Sequence, residues 1–415
     1  MDHPRGHFPL IRETVMNTTR HPRARLSVRA ASLACLLVLP AAAAAQASTG
    51  ARLTTVTGTH LPAGVLDGRS MDAVAADLDG DGDLDLVVAN EFGPNIILHN
   101  DGAGRFAEMS ALLPDKLLDS EDIAVADFNA DGRPDLLFVS EDTRDNELYL
   151  AVEGGYEDHS ENFRAGGTSN AVASGDVDGD GDIDIVIGNN GQNDLLLNDG
   201  AGVFTLATAT NLPERASITQ DVELADIDGD GDLDLVEANE DRNRLLINDG
   251  RGRFTDESAA RLPLRPGLTR EVSRDADLAD IDGDGDLDLY FANVPWAQNA
   301  DPRDRLLIND GAGNFTDESA SRLPGTPATT TDADFADIDG DGDLDIVTTR
   351  FLPGGVSVLI NNGEARFTDA TALWMPTGHP GQGVDLEIAD FNGDGTPDVF
   401  VCHWQTGPDQ LLFGA

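Results

Sequence analysis

Cysteine is almost missing from this 415-residue chain, which has only Cys35 and Cys402, so no disulfide framework holds it together. Positive charge is scarce as well. Lys and Arg total 27 against 76 Asp and Glu, a formal charge of -49, and Lys116 is the one lysine. A polyanion of that strength repels phosphate backbones and anionic lipid heads, which excludes nucleic acid and membrane surfaces as partners. Aromatic residues make up 5%. There is no sustained helical period, and no G-x-S-x-G, H-E-x-x-H or P-loop sequence. What is abundant is glycine, at 44 residues, and aspartate, the composition of a chain rich in turns. With 40% hydrophobic residues the chain can still bury a core, as two or three average domains or as one large repeat domain.

The basic residues gather at one end. Arg5, Arg12, Arg20, Arg23, Arg25 and Arg29 face only Asp2 and Glu13 there, and an apolar run over residues 30–45 follows. A basic segment, an apolar segment and a small-residue site (Ala43-Ala44-Ala45 or Ala45-Gln46-Ala47) predict that residues 1–47 are a cleaved secretory signal. Met16 is an equally good start for that layout. The run is short for a membrane span and is interrupted by Pro40, so no span is expected after processing. The product is expected to be secreted, periplasmic or held at the cell surface, and monomeric.

Residues 48–415 repeat themselves every 50–57 residues or so. The marker D-x-D-G-D-G-D-x-D, with small variations, starts at Asp77, Asp127, Asp176, Asp226, Asp280, Asp337 and Asp390. Each repeat has four strand-like pieces, seen best in the fourth: VELAD, then the acidic loop, LDLVEAN, RLLIN, the turn DGRGR and FTDES. Short β-branched or Leu-rich runs bounded by Asn, Asp and Gly are antiparallel strands, and N-D-G marks a tight hairpin. Seven such units predict an all-β fold, a single seven-bladed β-propeller of four-stranded antiparallel blades. The last repeat stops after its third strand, and residues 53–62 align with the fourth strand of the other repeats, so the N-terminal strand is expected to close the final blade. The aligned positions Leu53, Phe106, Tyr156, Phe204, Phe254, Phe315 and Phe367 are expected to pack between blades.

The acidic loops have the chemistry of a hard-cation cage. Positions 1, 3, 5, 7 and 9 are Asp77, Asp79, Asp81, Asp83 and Asp85 in the first repeat and Asp127, Asn129, Asp131, Arg133 and Asp135 in the second. The third has Asp176, Asp178, Asp180, Asp182 and Asp184, and the fourth Asp226, Asp228, Asp230, Asp232 and Asp234. The fifth has Asp280, Asp282, Asp284, Asp286 and Asp288, the sixth Asp337, Asp339, Asp341, Asp343 and Asp345, and the seventh Asp390, Asn392, Asp394, Thr396 and Asp398. Positions 1, 3, 5 and 9 are always Asp or Asn, while position 7 admits Arg133 and Thr396. Calcium takes six to eight oxygens, and a backbone carbonyl at position 7 is indifferent to its side chain. Glycine at position 6 permits the positive φ that the wrap needs. Val88 stands where an EF-hand needs a bidentate Glu, so these are not EF-hands. One Ca²⁺ per blade, up to seven, is the expected cofactor.

With these residues in view, the sequence over residues 53–415 resembles the FG-GAP/VCBS repeat family, of which the integrin α-subunit propeller is the best-known fold. The resemblance implies a calcium-stapled, extracellular ligand-binding or adhesion propeller, with a carbohydrate or protein ligand; certain fungal lectins are built on similar repeats. Departures are Asn129 and Asn392 at position 3, which lower the charge of those sites, and a second hairpin at Val152, Glu153, Gly154 and Gly155 that lacks N-D-G.

Strand order puts the acidic loops and the N-D-G hairpins on one face. Trp296, Trp374 and Trp404, with His379 and His403, Arg350 and Phe351, are expected on the other, where exposed indoles would form a stacking platform or else plug gaps between uneven blades. An Asp stands five residues before six of the seven loops (Asp72, Asp122, Asp221, Asp275, Asp332 and Asp385) and is expected to accept backbone N–H bonds at the turn, or to form a ring attracting a cationic ligand. The rival class is a propeller enzyme, a lyase or hydrolase acting on polysaccharide, with His379 and His403 near Asp385 as an acid–base group. The absence of a catalytic motif argues against it.

Overall fold

A computed structural model describes residues 52–415 apart from 67, 115, 142–145, 164–166, 266–269, 298–299, 326–328, 352–353, 377–381 and 406. The predicted signal and His379 lie outside the described residues. Among the described residues, no helix is long and apolar enough to cross a membrane.

The chain is all-β, built from repeated four-stranded antiparallel sheets. In the fourth repeat the strands are Ser217–Ala225, Asp234–Asn239, Arg244–Asn248 and Phe254–Asp256. Leu224 pairs with Leu235, Leu235 with Leu246, and Leu246 with Asp256. The one-turn helix Ser258–Arg261 follows. Second strands are buried on both sides; all six residues of Asp234–Asn239 and of Asp398–His403 are inaccessible. A strand covered by a neighbouring sheet on each face buries every side chain: Val399, Phe400, Val401 and Cys402 are apolar, and the polar Glu237 and Asn239 are hydrogen-bonded, Glu237 to Arg244 at 3.1 Å and Asn239 through its N–H to Asn243 at 2.9 Å.

The first strands form a closed cycle. Ser70–Ala76, Leu118–Ala126, Ser169–Gly175, Ser217–Ala225, Ser273–Ala279, Thr330–Ala336 and Gly383–Ala389 each touch the next, and the last touches the first. Every one of them carries a register shift at the same place, such as Thr219/Asp221, which sharpens the local twist. Closure comes from the N-terminus as expected: Thr54–Thr55 pairs antiparallel with Gln410–Phe413, Thr54 opposite Phe413. Neighbouring repeats also fuse directly at two junctions, where Glu91 pairs with Asp119 and Asn190 with Ile218.

The aligned apolar positions lie between repeats. Phe106 meets Phe391 of the seventh repeat edge-on at 5.7 Å, and Phe204 meets Phe128 of the second at 5.8 Å. The recurring Asp before six of the loops is buried, and five of the six reach a partner in another repeat. Asp122 accepts the N–H of Val172 at 2.7 Å, Asp221 that of Ala276 at 2.9 Å, Asp275 that of Ala333 at 3.0 Å, Asp332 that of Leu386 at 2.8 Å and Asp385 that of Ala73 at 3.1 Å. In each of these five the donor belongs to the next repeat around the cycle, so the tie is between sheets, and Asp122 also accepts the adjacent N–H of Ile123 at 2.6 Å, the local bond expected at the turn. Burial pushes Asp122 up to about 7, against the pull of its amide partners.

Replacing Asp275 with Ala removes the acceptor for Ala333 and leaves a buried N–H unpaired, a loss of about 1–3 kcal/mol. Denaturant unfolding should show that loss for Asp275→Ala and only a small change for Asp275→Asn, which retains a carbonyl acceptor.

Candidate metal centres and the opposite face

Each acidic loop is a nest of aspartate-capped turns. The N–H at position 6 donates to the first aspartate in all seven repeats, from Gly132 to Asp127 at 2.7 Å to Gly82 to Asp77 at 3.1 Å. The position-7 N–H donates to the position-5 aspartate, as Asp232 does to Asp230 at 3.0 Å. The glycine at position 6 has φ between 85° and 99° throughout, the left-handed wrap that excludes a side chain. The wrap draws carboxylates together. Asp77, Asp79 and Asp81 each place an oxygen within 4.8 Å of the others, as do Asp226, Asp228 and Asp230, and Asp176, Asp178 and Asp184.

The ninth position does something the sequence pattern does not disclose. Its carboxylate is buried and accepts two backbone N–H groups, one from position 2 and one from the end of the third strand. Asp184 takes Val177 at 3.1 Å and Asn198 at 2.8 Å; Asp345 takes Ile338 at 3.1 Å and Asn361 at 2.7 Å. All seven repeats make the same pair of bonds. Burial still outweighs them. It pushes Asp135 up to about 6 and Asp184, Asp234, Asp288, Asp345 and Asp398 up to about 7, with neighbouring loop aspartates adding to the rise.

The loops fit a hard cation on one structural count. At position 3, Oδ1 of Asp178, Asp228, Asp282 and Asp339 is buried without a hydrogen bond of ordinary geometry, and Oδ1 of Asp280 at position 1 shares that state. The position-5 N–H is the amide nearest each position-3 carboxylate, and burial and the neighbouring loop aspartates push these carboxyls up, a cost that a bound cation would relieve. Positive charge from the protein is partial. Arg261 approaches Asp228 at 3.3 Å and Arg322 approaches Asp282 at 3.6 Å.

On the opposite face, two of the three indoles converge. Trp296 and Trp404, both half-buried, flank Phe351 at 5.4 and 5.8 Å between ring centres, and the guanidinium of Arg274 lies 4.7 Å over Trp296. The Trp404 indole N–H donates to Glu91. Backbone bonds into the segment before each first strand make Glu91, Glu141, Asn190, Glu240, Val294, Phe351 and Trp404 equivalent. The ring is therefore acidic or polar in the first four repeats and apolar in the last three, a division that aligning the repeats would have revealed.

Trp374 does not join them. It is 2% exposed, ends the short helix Thr371–Trp374, and packs with Leu53, Val358 and Leu386. It lines a cavity of about 320 Å³ with Arg52, Asp337, Asp339 and Thr396, on the acidic-loop side. The reason is positional: it occupies the helix site where the fourth and fifth repeats carry Arg261 and Arg322, which also reach the loops. His403 is likewise corrected. As the last residue of a doubly covered second strand it is 3% exposed, and Asp385 beside it is fully buried, which removes the expected accessible acid–base group at those two residues.

Six stretches, 77–138, 127–187, 176–237, 226–291, 280–348 and 350–401, the first five overlapping, match the FG-GAP-like repeat. The chain belongs to the FG-GAP-like repeat family. Among solved structures, BBS1N in complex with ARL6DN is similar at 11% identity and TM-score 0.57, over 88% of this chain and 98% of that one. YCF48 bound to D1 peptide is similar at 8% identity and TM-score 0.52, over 89% and 97%. An Agrocybe aegerita lectin specific for non-reducing terminal N-acetylglucosamine matches at 18% identity and TM-score 0.47, over 73% and 79%. The first two establish a β-propeller fold. No curated protein matches this sequence.

Within the FG-GAP-like repeats, the variation at position 7 has a cause in packing. A Cβ on Gly102, Gly200, Gly250, Gly311 or Gly363 of the hairpin would collide with Asp83, Asp182, Asp232, Asp286 or Asp343. The position-7 aspartate thus lies against its own hairpin glycine. The two repeats with another residue there are those without that hairpin. In the second, Arg133 turns back to pair with Asp131 at 3.3 Å, and Ala130 takes a positive φ of 56° in place of glycine. In the seventh, the Asn392 amide donates to Asp398 at 3.1 and 3.3 Å, and Thr396 donates to Asp394 at 2.5 Å.

Asp230→Ala should remove one bound calcium per chain, whereas Arg133→Ala should remove none, since its carbonyl stays and a competing cation leaves. Calcium content measured after desalting both variants decides this, and an equal loss from the two would refute the ligand assignment. The raised ninth-position carboxylates also fix a sign. Without metal they hold protons more tightly folded than unfolded, so their stabilisation is complete below the unfolded range of about 4 and is lost as pH rises through about 6–7. Bound calcium reverses this by favouring the carboxylates. Chelated protein should melt higher at about pH 5 than at about pH 8, and calcium-loaded protein the other way round.

Proposed function

We propose that this protein is an exported, seven-bladed propeller stapled by calcium, one ion per acidic loop, which presents its opposite face to an extracellular carbohydrate or protein ligand. The observation that carries the calcium reading is the set of buried position-3 oxygens in four loops that lack a hydrogen bond of ordinary geometry and face other carboxylates. The side chains at positions 1, 3 and 5, the carbonyl at 7 and the buried carboxylate at 9 would hold each ion, and hard oxygen donors in a turn suit Ca²⁺. The ion supplies the charge compensation that two amide bonds leave incomplete.

Seven acidic loops, seven first strands in a closed cycle and a final sheet completed by Thr54–Thr55 support the blade count. The ligand reading rests on Trp296, Phe351 and Trp404, which three successive repeats bring together with both indoles partly exposed. Aromatic surface on a rigid scaffold is suited to a sugar ring or an apolar peptide side chain. Propellers of this fold that are known in complex with ARL6DN or D1 peptide are in keeping with a protein ligand. The basic, then apolar, residues 1–47 support export. A binding module, not an enzyme, is the reading that these residues favour.

A glycan and peptide array probed with calcium-loaded protein, with the bound ligands checked for cleavage, tests this. Binding without turnover is expected, and Trp404→Ala should weaken it several-fold, about 1 kcal/mol, with the fold kept and only the modest drop in melting temperature that loss of the Glu91 bond entails. Cleavage of a bound polysaccharide would establish the enzyme class instead; loss of stability with binding intact would make Trp404 a core residue.

A further inference from the structure

One loop differs from its six counterparts in the donor it meets. The third strand of the first repeat, Ile96–Asn100, carries His99 next to last. The bond from the following N–H to the ninth aspartate sets the register between repeats, and it aligns His99 with Leu150, Leu197, Ile247, Ile308, Ile360 and Phe413. Six apolar side chains and one imidazole therefore occupy the same place. His99 Nδ1 lies within hydrogen-bonding distance of Asp85 Oδ1, at 3.1 Å, and 3.4 Å from Asp79 Oδ2, with its side chain 35% exposed. Donors held about 2.0–2.1 Å from a tetrahedral ion are separated by about 3.3 Å, which both distances match. Asp85 is also oriented from behind, by the N–H groups of Leu78 at 3.2 Å and Asn100 at 2.8 Å. Imidazole nitrogen favours zinc-class ions, whereas calcium takes oxygen.

We propose that Asp79, Asp85 and His99 bind one divalent transition-metal ion of the zinc or cobalt class, with water completing the shell, in place of the calcium assigned above to the first loop, so that calcium is left to the other six. This rests on the calcium reading for those six loops but not for its own donor set. The test uses the mature chain saturated with calcium and titrated with Co²⁺ alone, for the parent and for His99→Leu, the residue type of the second and third repeats. The parent should take up one Co²⁺ with the visible absorption of a nitrogen-ligated ion and with broadening of the His99 ring signals in NMR. His99→Leu should bind it at least about tenfold more weakly while melting as the parent does. Equal Co²⁺ uptake by the two proteins, or sharp His99 signals in the Co²⁺-treated parent, overturns the proposal, and the NMR arm needs no variant to fold. Calcium content measured on the same samples separates the two readings: its absence from every loop would defeat the calcium staple, while a Co²⁺ site lost with His99 would stand.

Discussion

The buried ninth aspartate of each acidic loop is the contact on which the rest depends. One carboxylate fastens the start of the loop, through the position-2 N–H, and the end of the third strand, through the N–H at the hairpin. The loop and the hairpin are thereby forced onto the same face, and the position-7 aspartate is set against the hairpin glycine. Hydrogen bonds to a charged group contribute roughly 1.5–3 kcal/mol each, yet burial still raises six of these carboxylates to about 6–7 and moves Asp85 in the same direction. Two amides are thus insufficient at neutral pH. The same residue that organises each loop therefore carries a charge that a proton or the proposed cation would compensate.

Holding one sheet in shape does not hold the ring, and two further side chains do that. The hairpin asparagine reaches back to the preceding loop: Asn198 Nδ2 donates to Phe128 O at 2.8 Å, Asn248 to Val177 O at 2.8 Å, Asn309 to Ile227 O at 2.9 Å, Asn361 to Ile281 O at 3.1 Å, and Asn100 to Phe391 O of the seventh repeat at 2.8 Å. The inner aspartate reaches forward to the next first strand. Where one tie is missing, another element is present. The third repeat has Ala171 in place of the inner aspartate, and there Asn190 pairs directly with Ile218. The second repeat has no hairpin asparagine, and Glu91 pairs with Asp119. The seventh lacks it too, and the closing strand with Leu53 and Trp374 fills that junction. These ties replace the disulfides that a chain with one described thiol, buried Cys402, does not have.

Most of the fold was legible because its signals are local and repeated. D-x-D-G-D-G-D-x-D dictates a turn wherever it occurs, N-D-G dictates a hairpin, and a missing fourth strand at one end with a spare one at the other announces closure. The ligand face was read less well. Strand order points Trp374 to the far face, but a four-residue helix carries it back to the loops; comparing S-A-A-R and S-A-S-R with T-A-L-W exposes the equivalence with Arg261 and Arg322. His403 is hidden because a second strand is covered on both sides, so alternation along it does not distinguish buried from exposed positions.

What the sequence determined by itself is everything set within one repeat: the strands, the glycine-dependent wrap, the carboxylates at positions 1, 3 and 5, and the period that demands neighbours. Tertiary structure alone decided which partner each polar group meets across the junctions. The inner aspartates and hairpin asparagines find donors and acceptors some 50 to 80 residues away in most repeats, and about 300 where the ring closes. Sequence spacing does not encode those pairings, because they exist only once neighbouring sheets stand face to face and leave each buried N–H or carbonyl a single group within reach.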